Sequence, residues 1–304
     1  MTKDCAGLAE SEQPLVDVEL GIIGGSGLYA VPGLEDVEEQ DVSTPFGRPS
    51  DRVVTGRLRG IGVAFIPRHG RNHTFLPSEV PYRANICALK QLGVRRVLGV
   101  SAVGSLREDY APLDVVIPDQ LYDRTKARAG TFFGEGMVAH VGFAQPFCPA
   151  FAATLLESAR RSPATTHQGG TLVVMEGPAF STIAESETYR KAGFSLIGMT
   201  TLPEAKLARE AELCYASLSM VTDYDVWHQT HETVSSDMVA ETLRRNIDVA
   251  YGILGDLVDR LGEIGECRCG SALASALLTR FDVAPEATLQ RLRPIIGRYT
   301  DGAH

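Results

Sequence analysis

The sequence has few cysteines, no long hydrophobic run and no excess of positive charge. Six cysteines among 304 residues are too sparse for a disulfide-rich secreted scaffold. No apolar run approaches the roughly 18 residues that span a bilayer, so we expect no membrane partner. The formal net charge of −9 argues against binding to nucleic acid, although a few local cations can still hold an anionic substrate. The remaining class is a globular enzyme, which the 44% hydrophobic and 22% charged composition also favours.

The order of apolar and polar segments predicts one folded domain after a short leader. Residues 1–17 are polar and acidic and lack the apolar core of a secretory signal, so we expect a flexible leader and a cytoplasmic protein. Short apolar runs and helical segments then alternate through residues 18–304, with no internal repeat or low-complexity linker. This alternation predicts a single α/β domain with a parallel sheet. The chain is predicted to finish in three helices, near residues 236–261, 269–281 and 285–296.

Two polar clusters lie at the ends of the segment 199–225. Met199–Thr201 and Thr222–Asp225 each follow an apolar, strand-like run, and a helical segment beginning near Pro203 lies between them. A strand, a helix and a strand within about thirty residues predict a βαβ unit. In such a unit both clusters lie on one edge of a parallel sheet, where open α/β sheets bind their ligands. We therefore expect a site in which hydroxyl groups lie near a pair of carboxylates.

A glycine-rich turn follows the first predicted strand, Val18–Ile23. Residues 24–27 read GGSG, and their backbone N–H groups with the Ser26 hydroxyl are suited to a small anion. The segment also matches the dinucleotide fingerprint G-x-G-x-x-A, but Pro32 and Gly33 interrupt the helix that this fingerprint requires. No G-x-x-x-x-G-K-[ST] motif is present, which excludes a P-loop. We favour a small-anion loop, with a purely structural tight turn as the alternative.

Basic and imidazole side chains follow the next predicted strand pair. The segment Pro67–His73 holds Arg68, whose planar guanidinium is suited to a phosphate, and His69, which adds a donor when protonated. His69 and His73 are four residues apart, but Gly70 stands where the zinc motif H-E-x-x-H has glutamate. We therefore predict phosphate binding rather than a metal site. The alternative is a solvated basic turn.

Seven short motifs occur in the order typical of one family between about residues 21 and 246. They are GIIGGSGLY, TPFGRPSD, RHGRNH, SAVGSLRE, EGPAFSTIAES, MTTLPEAKLARE and TDYD. Together they are similar to the 5′-methylthioadenosine phosphorylases, within the trimeric purine nucleoside phosphorylase superfamily. The resemblance implies a homotrimer whose central mixed, largely parallel twisted sheet is flanked by helices. It also implies phosphorolysis of 5′-methylthioadenosine, with inorganic phosphate as co-substrate and without a cofactor.

The resemblance also implies roles for individual residues. Phosphate contacts fall on Ser26, Arg68, His69, Ser101, Ala102 and Thr200. Nucleoside contacts fall on Phe180, Met199, Thr222, Asp223, Asp225 and Val239, and on His140, which in similar proteins reaches a neighbouring subunit's site. Ser181 and Ser236 match positions that bear on substrate choice. Ser236 and Ala240 are smaller or more polar than the residues at these positions in many similar proteins. This chain therefore departs from the family pattern in the pocket for the 5′ substituent.

The pair Cys267-x-Cys269 is similar to a CxC found in some members of that family. Cysteines separated by one residue form a poor structural clamp, so we predict a pair of free thiols. With glycine in place of glutamate at position 70, the predicted function includes no metal.

Phosphorolysis of a purine nucleoside sets three chemical requirements. Phosphate must be held below C1′, the ribose gains oxocarbenium character, and the purine must not leave as an anion. A buried carboxylic acid beside N7 would protonate the purine, and we assign that role to Asp223. A carboxylate accepts from the 6-amino group of adenine, and we assign that role to Asp225. The alternatives are a 6-oxopurine nucleoside phosphorylase, a non-catalytic nucleotide-binding protein, and an aspartate pair that only caps a strand end.

Overall fold

A computed structural model describes residues 17–25, 31–228 and 236–300 of the chain. Its strands are β1 (Val18–Gly24), β2 (Leu34–Gln40), β3 (Val53–Leu58), β4 (Ile61–Pro67), β5 (Arg96–Ser105), β6 (Val115–Ile117), β7 (Gln120–Arg124), β8 (Thr166–Gln168), β9 (Thr171–Met175), β10 (Leu196–Gly198) and β11 (Cys214–Asp223). Its α-helices are α1 (Tyr82–Gln91), α2 (Pro149–Arg160), α3 (Ile183–Lys191), α4 (Thr201–Glu210), α5 (Ser236–Asp259) and α6 (Glu286–Thr300). Short 3₁₀ helices cover Leu261–Glu263 and Cys269–Ser271.

The eleven strands of the described ranges form one mixed sheet. The main path runs β2-β3-β4-β1-β5-β10-β9-β7, and β11 pairs with both β5 and β6, which in turn pairs with β8. Parallel pairs join β1 to β4 and β5, β9 to β7 and β10, β11 to β5, and β6 to β8. The remaining four pairs are antiparallel. The predicted mixed, largely parallel sheet flanked by helices is confirmed.

Helices cover both faces of this sheet. Helices α1, α4 and α6 pack around one buried cluster that includes Leu89, and α2 and α5 pack around a second cluster that includes Phe151. Neighbouring residues of β5, such as Val97 and Leu98, face opposite clusters, as the pleat of a strand requires. Because both faces are covered, the ends of the strands are the places where a ligand meets the sheet. No helix within the described ranges is long and apolar enough to cross a membrane.

The predicted βαβ unit over residues 199–225 is wrong. β10 pairs antiparallel with β5, whereas β11 pairs parallel with β5 on its other side. The two strands therefore run in opposite directions. A three-residue strand such as β10 carries no sequence signal for its direction, so the pattern of runs located the strands but not their orientation. Both polar clusters nevertheless reach β5, one from each side.

Two predicted boundaries also differ from the structure. The run of small residues at 101–105 is typical of a turn after a strand, but β5 continues through Ser105. Small side chains here serve close approach between strands: a Cβ on Gly104 would lie 2.9 Å from Oδ1 of Asp223. Residues 269–281 were expected to form a helix, but only the 3₁₀ turn Cys269–Ser271 is helical.

Candidate active site

β5 carries the centre of the candidate site. Oγ of Ser101 lies 3.3 Å from Oγ1 of Thr200, and Asp223 is paired with Gly104 across the β5–β11 ladder. Ser101 and Gly104 are three residues apart, which corresponds to about 10 Å along a strand. The hydroxyl groups and the carboxylates thus lie at two points of one strand, a spacing suited to the two ends of a small elongated ligand.

The hydroxyl end of the site is suited to an anion. Ser101 is buried, and Ala102 and Thr200 are half-buried. Thr200 immediately precedes α4, and its side chain makes no capping hydrogen bond to that helix. Residue Leu202 has an extended backbone, so the regular part of α4 begins at Pro203, as the sequence predicts. Two hydroxyl donors beside the positive end of a helix favour a bound anion.

The guanidinium of Arg68 is buried and largely committed to the protein. Its Nε and Nη2 donate to the two carboxylate oxygens of Glu204 at 2.8 and 2.9 Å. Its Nη1 and Nη2 also donate to the carbonyls of Val100 and Ile23, both at 3.0 Å. Within the described residues, these bonds use four of its five N–H groups and leave one on Nη1. The planar fork therefore faces Glu204, and a phosphate would meet a single N–H of Arg68.

Tyr215 completes the surroundings of this buried ion pair. Its Oη donates to Oε1 of Glu204 at 2.8 Å. Glu204 is fully buried, so its negative charge neutralises Arg68 rather than facing solvent. The network depends on a glycine at position 99, because a Cβ there would overlap Oη of Tyr215. Glu204 and Tyr215 resemble ordinary residues of a helix and a strand, so the sequence alone does not reveal this role.

His69 is half-buried and stacks on His73, with ring centroids 4.4 Å apart. Its Nδ1 lies 2.9 Å from the carbonyl oxygen of Phe75, which can only accept, so Nδ1 carries the proton and Nε2 is an acceptor in the neutral ring. Burial lowers the pKa of His69 to about 4, and the charge of Arg68 contributes to the shift. The unliganded ring is therefore neutral at pH 7. To donate a hydrogen bond to the anion, as predicted, Nε2 of His69 must first take a proton from the anion itself.

The carboxylate end of the site begins at a bulge in β11. Val221 pairs with Val103 and Asp223 pairs with Gly104, so Thr222 is an extra residue relative to β5. Bulges of this kind change the direction in which the following side chain points. The Thr222 hydroxyl donates to Oδ2 of Asp223 at 2.6 Å. The bulge and the missing side chain of Gly104 together make room for the Asp223 carboxyl group.

Asp223 has an environment that favours its protonated form. The side chain is only 7% exposed, and burial raises its pKa. Hydrogen bonds from Thr222 and from the backbone N–H of Asp225, the latter at 2.8 Å, act in the opposite direction, while the charge of Asp225 adds to the rise. The net shift is upward. A carboxyl group of this kind is suited to general acid chemistry.

Asp225 is buried and offers an unused acceptor. Its Oδ2 has no hydrogen-bond partner among the residues that the structure describes. Burial raises its pKa, while the hydroxyls of Ser186 and Ser181 act in the opposite direction. Its φ of +51° is a left-handed conformation, which aspartate tolerates better than most residues. A buried carboxylate oxygen without a partner is a position where a ligand donor would be satisfied.

We expect Asp225→Asn to raise the melting temperature at pH 7. The pKa of Asp225 is raised in the folded state, so the folded protein loses stability as pH rises through that pKa and the group ionises. Asparagine removes the buried charge, for a gain of about 1 kcal/mol. The gain should disappear as pH falls below the ordinary value of 3.8, where the wild-type carboxyl is also protonated.

Thermal unfolding of both proteins between about pH 3 and pH 8 checks this expectation, because the series extends below the ordinary pKa of 3.8. Glu38→Gln, which removes an exposed carboxylate on β2, is the matched control and should not shift the melting temperature with this pH dependence. A variant at Asp225 that is less stable than wild type at pH 7 would contradict the buried-charge interpretation.

The segment after β9 reaches the carboxylates through the Ser181 hydroxyl, which bonds to Asp225. Ser181 is buried with its Oγ 3.7 Å from Sδ of Met175, while the preceding Phe180 is 39% exposed. The sulfur of Met199 packs over Gly177, where a Cβ would lie only 2.6 Å away. The structure therefore brings the predicted specificity residue Ser181 beside Asp225. It leaves the ring of Phe180 on the surface next to it.

A buried arginine joins two edges of the site. Arg128 lies in the long connection after β7, and its side chain is 1% exposed. Its Nη1 donates to the carbonyls of Met199 and Leu202 at 2.5 and 2.7 Å, and its Nη2 donates to that of Glu176 at 2.6 Å. These bonds fix the segment after β9 against the segment after β10. A single arginine within a loop has no motif that would have revealed this role.

Other predicted residues lie away from these contacts or outside the described residues. His140 is exposed, and its backbone N–H donates to the carbonyl of Ala276 at 2.9 Å. Val239 is half-buried and Ala240 is exposed on α5. Ser26 and the side chain of Ser236 lie outside the described residues. The roles predicted for these positions stay predictions.

Comparisons with known proteins show the family of this chain. Residues 19–259 match the family described as the phosphorylase superfamily. The S-methyl-5′-thioadenosine phosphorylase of Koribacter versatilis (strain Ellin345) is 54% identical over 284 residues, which cover 93% of this chain and 97% of the relative. The enzyme of the same name from Chloroflexus aurantiacus is 57% identical over 281 residues, or 92% of this chain and 98% of the relative.

Solved structures show the same similarity. A methylthioadenosine phosphorylase from an antarctic soil metagenomic library has a TM-score of 0.87 and 47% identity, with 91% of this chain and 98% of that chain covered. The methylthioadenosine phosphorylase of Schistosoma mansoni in complex with adenine has a TM-score of 0.80 and 37% identity, with 87% and 99% covered. The chain therefore belongs to the phosphorylase superfamily and, within it, to the S-methyl-5′-thioadenosine phosphorylase family.

Proposed function

We propose that this protein cleaves 5′-methylthioadenosine with inorganic phosphate to adenine and 5-methylthioribose 1-phosphate. The observation that carries the proposal is the buried pair Asp223 and Asp225, which combines a raised pKa with an unpartnered acceptor. Two relatives named S-methyl-5′-thioadenosine phosphorylase are 54% and 57% identical to this chain over more than nine tenths of its length. A site that matches a 6-aminopurine in this way rejects bases that would leave a buried group unpaired.

In this proposal the carboxylates bind the base. Oδ2 of Asp225 accepts a hydrogen bond from the 6-amino group, since it lacks a partner among the described residues. Asp223, in its protonated form, donates to N7 of the purine. A 6-oxopurine would present an oxygen to Asp225, and two acceptors would then face each other. The geometry thus favours adenine nucleosides over inosine and guanosine.

The phosphate in this proposal lies at the hydroxyl end of the site. Ser101, Ala102 and Thr200 form its surroundings, and Arg68 contributes the one N–H that Glu204 and the backbone leave over. Neutral His69 accepts from the P–OH of hydrogen phosphate through Nε2. Ser26, in the glycine-rich turn, is assigned to the same phosphate by the resemblance alone.

The reaction then proceeds without a cofactor or a metal. A phosphate oxygen forms the bond to C1′ while the bond from C1′ to N9 breaks, and the negative phosphate stabilises the oxocarbenium character of the ribose. Asp223 transfers its proton to N7, so adenine leaves as a neutral base. The proton that hydrogen phosphate loses passes to Nε2 of His69 and then to solvent, and Asp223 regains a proton from solvent, so the overall reaction conserves protons. The products are neutral adenine and the sugar phosphate.

We also propose a cytoplasmic homotrimer in which His140 contacts a neighbouring subunit's nucleoside. The exposed position of His140 is compatible with this contact. Phe180, Met199, Thr222 and Val239 are proposed to surround the nucleoside, with Ser181 and Ser236 affecting substrate choice. The net charge of −9 disfavours nucleic acid as a partner. Sedimentation or light scattering of the purified chain tests the trimer directly.

A nucleoside panel assayed with and without phosphate tests the proposed function. We expect release of adenine from methylthioadenosine only when phosphate is present, and far slower cleavage of inosine and guanosine. Preference for inosine, guanosine or methylthioinosine would favour the 6-oxopurine alternative. Binding of a dinucleotide without any phosphorolysis would favour the non-catalytic alternative. Cleavage in the absence of phosphate would overturn phosphorolysis itself.

A further inference from the structure

Four cysteines that are far apart in the sequence meet at the start of β11. Cys148 immediately precedes α2, Cys214 is the first residue of β11, and Cys267 and Cys269 follow α5. All four thiols are free, and their sulfur atoms lie within 4.8 Å of one another. The pair of free thiols predicted at Cys267 and Cys269 is therefore half of a larger cluster.

We propose that these four cysteines form a structural zinc site. Four points no more than 4.8 Å apart lie within about 2.9 Å of a common centre, against the ~2.3 Å of a zinc–sulfur bond. In a regular tetrahedron that bond length places the sulfurs about 3.8 Å apart. Sulfur movements of a few tenths of an ångström thus convert the cluster into a tetrahedral Cys₄ site. Such thiolate sites select zinc or iron, and hard cations do not fit them.

The number of sulfurs favours a metal ion over disulfide bonds. The sulfurs of Cys214 and Cys267 lie 3.3 Å apart, longer than the ~2.05 Å of a disulfide. A disulfide joins two sulfurs and gives no reason for two more to gather around it. A tetrahedral ion requires all four at similar distances. Binding exchanges the thiol protons for the ion and consumes no oxidant.

The surroundings provide both stabilisation and access. Cys148 occupies the N-cap of α2, and its side chain makes no capping hydrogen bond there. The positive end of a helix stabilises a thiolate. Cys148 and Cys269 are buried and fix the inner side of the site, while Cys267 is exposed and gives an ion a route from solvent.

The position of the site indicates a structural role rather than a catalytic one. Four protein sulfurs leave no open coordination position for a substrate. Cys214 and Asp223 are opposite ends of β11, about 30 Å apart along the strand. The ion would fasten the C-terminal segment to the start of this strand. That segment is also held near Glu212, whose Oε1 accepts from the backbone N–H of Leu273 and from Arg298, both at 2.9 Å.

Metal analysis of the full chain tests the proposal. The protein is purified without a metal-affinity step and dialysed against metal-free buffer, and we expect one zinc ion per chain. Cys267→Ser removes the exposed ligand and should lower the zinc content at least tenfold. Cys87→Ser is the matched control, since Cys87 is a buried free cysteine on α1 outside the cluster, and its zinc content should equal that of wild type.

Reconstitution with metal gives a second measurement, which is valid even if the protein loses its metal during purification. The apoprotein, prepared with a chelator under reducing conditions, is titrated with Co²⁺, and we expect the visible bands of a tetrahedral tetrathiolate at one ion per chain. Zinc should abolish these bands, and Cys269→Ala should not develop them. Chelation should also lower the melting temperature of wild type but not that of Cys267→Ser.

Three results would overturn the proposal. The first is an intact mass, measured without reductant, that is lower than the mass of the reduced chain by four hydrogens, which would show two disulfide bonds. The second is an apoprotein that binds neither Co²⁺ nor zinc with its cysteines reduced. The third is stoichiometric iron with a visible charge-transfer spectrum in the protein as purified, which would replace zinc as the occupant.

Discussion

Replacement of Asp223 with asparagine is expected to lower kcat for methylthioadenosine about 10²- to 10⁴-fold, the usual contribution of a positioned general acid. Asparagine has nearly the same shape, so it fits between Thr222 and Gly104, but it has no acidic proton to give to N7. The affinity for phosphate should change little, because the phosphate contacts lie about 10 Å away along β5. Release of adenine at saturating phosphate measures the effect.

A change of leaving group separates this acid role from a structural one. A nucleoside whose base leaves readily as an anion does not require protonation at N7, so the same variant should cleave it with a much smaller loss. Asp225→Asn is the companion variant, since its amide oxygen can still accept from a 6-amino group. Equal losses with both kinds of leaving group, or near-native activity on methylthioadenosine, would remove Asp223 from the acid role.

Glu204→Gln is expected to lower the free energy of unfolding by about 3–5 kcal/mol, the usual cost of breaking a buried ion pair. The substitution leaves the cation of Arg68 buried without a counter-charge, and both side chains are at most 3% exposed. It also weakens the bond from Tyr215, which donates to the same carboxylate. Urea denaturation monitored by tryptophan fluorescence and by circular dichroism measures the loss.

Lys206→Gln provides the matched control on the same helix. Lys206 pairs with Asp123 at 2.6 Å, but these side chains are 38% and 32% exposed, so the loss should be about 0–1 kcal/mol. The double variant Arg68→Met with Glu204→Leu should recover most of the stability, because it removes both buried charges. If Glu204→Gln proves as stable as Lys206→Gln, the buried pair is not the stabilising element proposed.

The sequence predicted the fold class because apolar runs mark buried strands and helices regardless of their partners. β1 and α5 lie close to their predicted positions. The orientation of β10 escaped prediction because direction depends on pairing with β5, which local sequence does not encode. The run of small residues at 101–105 resembles a turn in the sequence. Its glycine instead permits close packing between strands, a requirement visible only with the neighbouring strand in place.

The site was predictable where adjacent residues act together and unpredictable where distant residues do. Thr222, Asp223 and Asp225 form one motif, and their carboxylates do gather at the end of β11. The role of Glu204 depends on its contact with Arg68, which is 136 positions away in the chain. Arg128 likewise contacts backbone carbonyls from two separate segments. Arg68 donates two hydrogen bonds to Glu204 instead of offering them to a phosphate. The motif that contains Arg68 gives no sign of this contact.

The extra residue in β11 makes chain length as critical as residue type at this strand end. Deletion of Thr222 would restore a regular ladder with β5 and, because successive strand residues face opposite sides, would turn the next carboxylates away from the site. Such a protein would pair its strands more evenly and yet lack its acid. Gain or loss of a single codon at Thr222 is therefore expected to be as damaging as loss of the Asp223 carboxyl group.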